Sequence, residues 1–396
     1  MQNFTDPNQK ENYFLSQPHQ PFFLAGIFWA IISMLIFTIA YKLQLKGTLL
    51  LSLDTSSFHA YSLIYIVITQ FFIGFLYTTF PKFCQAQAIT KNYYLLTFIL
   101  FQTGALLFTL GVFFSIALFQ LGMAVLFIGM FSFVLKLFTI YRSSKAAAKK
   151  DQFWILVALS IGFLTHGLAI TENIFAFSND AYAIAFVLYL TFLTFSVAQR
   201  MVPFFSHSTV EKKPYFLAIV FLLLIFKVAT ILTDRFITQN YVDILLAIFL
   251  LKEFWRWKLN TTQAPAILKI LHVALFWLPL GLLLGAVTSI LTLFTQQSFL
   301  FSQTHLIALG FIVTMLIGFG TRVTLGHSGQ PPHADQTTLK IFYLTQLLVF
   351  VRFALSLSFG FDSVLLWLFD LSAFLWLVLF IFWVWKFGPV LVKAKL

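Results

Sequence analysis

The chain has one cysteine, Cys84, and only 13 acidic residues among 396. A lone thiol excludes an internal disulfide and any multi-cysteine cluster, so metal chemistry, if present, falls to histidine. Charged residues make up 10% of the chain, too few to clothe a soluble core. Strand-like alternation is missing, which argues against a membrane β-barrel. No Walker loop, H-E-x-x-H, G-x-S-x-G or dinucleotide fingerprint occurs, so ATP-driven transport and hydrolase chemistry lose their usual markers. The first 20 residues, MQNFTDPNQKENYFLSQPHQ, are polar and lack the apolar core of a cleavable signal, so the first membrane helix is expected to serve for insertion.

What is present is apolar: 60% of residues, with a mean hydropathy of +0.92. A hydrocarbon core of roughly 30 Å takes about 20 helical residues. Runs of that length predict an all-α, polytopic membrane protein of twelve spans, at about 21 to 40, 58 to 80, 93 to 112, 115 to 140, 152 to 176, 181 to 201, 215 to 233, 240 to 258, 267 to 293, 299 to 321, 339 to 360 and 362 to 386. Residues 1 to 20 then form an N-terminal segment, 21 to 386 the membrane domain and 387 to 396 a basic tail. Gly111 with Ser115 is the expected break within the long 93 to 140 block.

With the N-terminus cytoplasmic, 19 of the 25 Lys and Arg fall on that side. Lys42, Lys46, Arg235 and Arg352 fall opposite, and Lys136 and Lys227 lie within spans. The positive-inside rule therefore predicts that both termini are cytoplasmic. The basic stretch YRSSKAAAKK (141 to 150) has no interleaved aromatics beyond Tyr141 and reads as a topology loop near anionic lipid, not a nucleic-acid surface.

TTFP (78 to 81), RMVP (200 to 203) and RVTL (322 to 325) end the second, sixth and tenth helices at a spacing of 122 residues. Three pseudo-repeats of four helices would produce that spacing. A general preference of inner helix ends for Arg and Pro would also do so.

An ionisable side chain within a span costs roughly 2.5–3.5 kcal/mol on insertion scales, so those retained are functional candidates. The topology sorts the eight histidines by depth. His59, His166 and His305 fall toward the outer half, while His19, His207, His272, His327 and His333 lie near the inner face. Two histidines from different helices at similar depth are the kind of pair that grips a haem iron, and His59 with His305 fit that requirement. The plainer alternative is an interfacial histidine bonded to a carbonyl. His166 reads either as a ligand of a second metal or partner of a haem propionate, or as one end of a helix–helix hydrogen bond. Asp370 reads as part of a proton path or as a structural partner for a cation such as Arg352. In TRVTLGHSGQPPH (321 to 333), Arg322 suits an anionic group such as a propionate or lipid phosphate, and Gly326 is expected to end the helix. Arg200 occupies the equivalent place in RMVP.

Several landmarks follow one another as in a known family: QPFFLAG, FHAYSLIY, GFLYTTFPKF, QRMVPFFSHS, ILHVALFWLPLGLLLG and THLIALGFIVTMLIGFGTRVTLGHSG, spanning residues 20 to 330. On these the chain resembles the NnrS family. The resemblance implies a twelve-helix protein of the bacterial inner membrane that binds haem, here haem b, and copper, and that acts in the nitric oxide and nitrosative stress response. Two departures bear on this. The family's H-A-H-E-M is His59-Ala60-Tyr61-Ser62-Leu63 here, losing a histidine and a glutamate on which copper would depend. Its G-H-T-G-R is Gly326-His327-Ser328-Gly329-Gln330.

A looser likeness is to haem-copper oxidase and nitric oxide reductase catalytic subunits, whose helices 2 and 10 carry haem ligands; their copper histidines have no counterpart on helices 6 and 7. Three functions follow for comparison: a haem protein that binds nitric oxide, an oxidoreductase that turns it over with an electron donor, and a transporter using intramembrane His and Asp. His59, His305 and His166 are the first candidate ligands, Arg322 and Arg200 the anion partners, and His272, His327 and His207 secondary inner-face candidates.

Overall fold

The computed structural model describes residues 13–175, 180–259 and 261–393. All regular structure among them is helical, a short 3-10 turn (Tyr13–Leu15) followed by twelve helices: α1 (His19–Leu45), α2 (Thr55–Phe83), α3 (Lys91–Phe114), α4 (Ile116–Arg142), α5 (Lys150–Phe175), α6 (Asp180–Phe205), α7 (Phe216–Leu232), α8 (Phe236–Arg256), α9 (Ala266–Thr295), α10 (Ser302–His327), α11 (Gln336–Gly360) and α12 (Trp367–Lys393). Ten are long and apolar enough to cross a bilayer, α7 is a shorter apolar helix, and α8 carries more charge. The chain is a multi-pass membrane protein. The predicted break is found at Ser115, which is extended between α3 and α4. By contrast, α12 starts at Trp367, after a loop, and runs on to Lys393, taking in much of the expected tail.

The helices form a closed ring around three central ones. α4 packs on α5, α8 on α9, and α12 closes back on α1. Trp376 of α12 donates its indole N–H to the Ala30 carbonyl at 2.9 Å, and Lys42 pairs with Asp370 at 2.7 Å across the same seam. Inside stand α2, α6 and α10, with 94, 83 and 78% of their most apolar windows buried, against 67% or less in the other seven long apolar helices. These are the helices whose ends share the 122-residue spacing.

Their backbones share a second feature. Each opens into a π-helical stretch, Ser62–Ile68, Ala185–Thr191 and Leu306–Val313. The wider turn leaves carbonyls poorly matched to amides, and a threonine stands at each exit. Thr69 donates to the Ile64 carbonyl at 2.7 Å and Thr314 to the Leu309 carbonyl at 2.9 Å, each five residues back. Thr191 holds the corresponding place. Threonines 122 and 123 residues apart, on three matching distortions, favour the threefold repeat over a mere preference of helix ends.

α10 continues past Gly326 to His327, and Gly329, at φ +77°, makes the stop. The Gln330 amide reaches back to the Leu325 carbonyl at 3.1 Å, closing the last turn. At the start of α11, Asp335 accepts from the Thr338 amide at 2.9 Å and from Lys386 Nζ at 2.6 Å. Partial burial would raise this carboxyl, but the bonds from Lys386 and Thr338 outweigh it and hold it down to about 2. Its contribution to stability is therefore present above its unfolded value of about 4 and lost as pH falls from there toward about 2. Asp335→Asn should flatten that part of the melting-temperature profile; an unchanged acid limb would refute the assignment.

Candidate cofactor cavity

Toward the end where α1 begins, the central helices close up, leaving a void of only about 20 Å³ between Phe75, Thr194 and Phe319. At the opposite end they splay around a cavity of about 810 Å³. That is within the ~300–1,000 Å³ range of small-molecule sites. Its wall is mainly apolar and aromatic, including Phe37, Phe369 and Trp376, with a few polar groups let into it.

His59 and His305 both line this cavity. His59 lies in the first turns of α2, whose start is fixed by Asp54 accepting from the Ser57 amide at 3.0 Å. Its ring stacks on Phe37 with centroids 4.1 Å apart. His305 is the last residue before the π stretch of α10. Its Nδ1 lies 3.0 Å from the Phe301 carbonyl, which can only accept, so Nδ1 carries the proton and Nε2 the lone pair. Such a bond orients a metal-ligating histidine. Thus the predicted carbonyl bond is real for His305, and it is compatible with the ligand reading.

Tyr182 of α6 also lines the cavity. It lies 123 residues after His59 and 123 before His305, within one residue of the 122-residue spacing of the helix ends, so the three central helices present His, Tyr and His in nearly equivalent first turns. A search within one residue of that spacing could have revealed it.

Arg352 of α11 completes the polar wall. Its Nη2 is 3.3 Å from His305 Nε2, its Nη1 donates to Ser356 at 2.9 Å, and it is within electrostatic reach of both histidines. The suggested Arg352–Asp370 pairing is not formed, because Asp370 is taken by Lys42.

Sequence reasoning also missed a buried cluster whose Lys227 and Gln303 form part of the cavity wall. Lys227 of α7 donates to both oxygens of Asp243 of α8, at 2.6 and 2.8 Å, and to Gln303 Oε1 of α10 at 2.7 Å. The Gln303 amide returns a bond to Asp243 at 2.8 Å. This closed triangle holds the first turn of α10, two residues before His305. A lysine inside FLLLIFKVATIL was the available signal, since such a charge requires a partner.

The remaining candidates lie elsewhere. His166 is buried and does not line the cavity; Tyr61 meets its Nε2 at 2.8 Å and Tyr65 stacks on it at 4.3 Å. The helix–helix bond weighed for it is therefore formed. Arg200 pairs with Asp151 at 2.8 Å, and Arg322 lies over the Phe205 ring at 3.8 Å. His272 meets Ser206 at 2.8 Å, His327 packs against His19 at 5.1 Å, and His207 follows α6 in the left-handed region. All of these except His166 belong to the end where α1 begins.

The cavity suits haem: two imidazoles on different helices, flat aromatic walls and a guanidinium for a propionate. No group of three or more His, Cys, Asp or Glu side chains gathers among the described residues. No curated protein matches the chain. A family model described as NnrS protein matches residues 13–395, nearly the whole length, and the chain belongs to that family.

Proposed function

We propose that this NnrS-type membrane protein binds haem b in the 810 Å³ cavity, with His59 and His305 as ligands, and acts in the nitric oxide response. The carrying observation is that two histidines 246 residues apart in sequence line one apolar cavity, with a cation beside them. Haem would supply a redox-active iron centre, and nitric oxide would bind that iron where one of the two histidines gives up its place.

The chain's own part is to place and shield. α2 and α10 bring one imidazole each, and the Phe301 carbonyl fixes the His305 tautomer. Phe37 holds the His59 ring, and the largely apolar wall suits an apolar gas. Against the transport reading, Asp370 is committed to a peripheral ion pair with Lys42.

The test is reconstitution of the purified full-length protein with haem, followed by reduced-minus-oxidised spectra. A histidine-ligated haem band is expected, strongly reduced in His305→Ala and in His59→Ala. Retention of the wild-type spectrum by both variants, or no band in the wild type, would overturn the proposal.

A further inference from the structure

The lone pair on His305 Nε2 is the one an iron would take, and Arg352 Nη2 sits 3.3 Å from it. Both cannot hold it at once. Arg352 is also a cation without a counter-ion: among the described residues it forms no ion pair, and its other side-chain bond is to the neutral Ser356 hydroxyl. Two carboxylates at the same end are committed, Asp54 to the cap of α2 and Asp370 to Lys42. The guanidinium thus lacks an anion while facing a cavity large enough to bring one.

From this geometry we propose that Arg352 is a latch on the ligand histidine. A carboxylate on the incoming ligand draws the guanidinium into a two-pronged ion pair and frees Nε2 for the metal carried by the same molecule. Charge-assisted forked pairing is far stronger than a 3.3 Å contact to a neutral imidazole, so the exchange runs toward the anion. The latch selects a metal-bearing ligand that is also anionic and disfavours neutral ones. It deepens the haem reading and rests on it.

Haem and its dimethyl ester, which lacks both carboxylates, distinguish the cases. Each is titrated into the full-length protein in detergent, and the shift of the main absorption band is read as affinity. A charge-assisted bond to a carboxylate predicts a wild-type preference for haem of about tenfold or more. In Arg352→Gln the preference should collapse, and the ester should bind more tightly than it does to wild type, because nothing cationic then sits on Nε2. Equal wild-type affinity for both ligands overturns the latch while leaving the haem reading intact, and it needs no variant to fold. So does a preference that survives in Arg352→Gln. Failure of haem itself to bind overturns both.

Discussion

Asp243→Ala is expected to lower the unfolding free energy by about 3–5 kcal/mol, the cost of breaking a buried ion pair and leaving one charge behind. Lys227 is 3% exposed, and its three hydrogen bonds use every proton on the ammonium. Without Asp243 the ammonium keeps only the Gln303 carbonyl inside an apolar bundle, where it must deprotonate or draw in water. Lys227→Ala strands the Asp243 carboxylate in the same way. The double variant Lys227→Met with Asp243→Leu removes both charges and should recover most of the loss, since apolar replacements of similar volume often match a buried pair. Melting in detergent reads all three. Single variants that melt with the wild type would show that the pair is not the strut connecting α7, α8 and α10. Because Gln303 precedes His305 by two residues on α10, the damaging single variants should also weaken haem binding, even though Lys227 and Asp243 lie outside the proposed ligand set.

The number and order of the helices were legible because hydropathy reports them directly: backbone groups in lipid must pair within their own segment. The two cavity histidines were legible for a related reason, since topology sorts residues by depth and these two stood at similar depth on different helices. Depth says nothing about azimuth, and His166 shows the consequence. It was grouped with His59 and His305, yet it turns toward Tyr61 and Tyr65 within the helix packing. Arg352 and Asp370 illustrate the same limit, because which cation meets which carboxylate depends on helix rotation. Tyr182 was within reach, since it falls within one residue of the repeat spacing from both histidines. The π stretches were not, because their sequences, such as SLIYIVI and LIALGFIV, carry no compositional mark that separates them from α-helix. Only the threonines at their exits recur.

Gly122→Leu should be among the most damaging single changes outside the cavity. α3 and α4 form an antiparallel pair whose backbones nearly touch at Gly104, Gly111 and Gly122. A Cβ built on Gly122 would stand 2.2 Å from the Phe108 amide nitrogen, and one on Gly111 would stand 2.1 Å from that of Phe119. The obstacle is backbone, which cannot turn aside as a side chain can, so the helices themselves must separate. Overpacking commonly costs about 1–3 kcal/mol, and a backbone obstacle places this variant at or above the upper end. Small residues are the means by which helices in lipid gain close contact, because burial from water provides no drive between them. Gly167→Ala is the matched control, since its added carbon meets only the Phe127 ring at 3.4 Å. It should melt at or slightly above the wild type, because alanine is the better helix former. If Gly122→Leu and Gly167→Ala melt together, the close approach of α3 and α4 has no energetic weight.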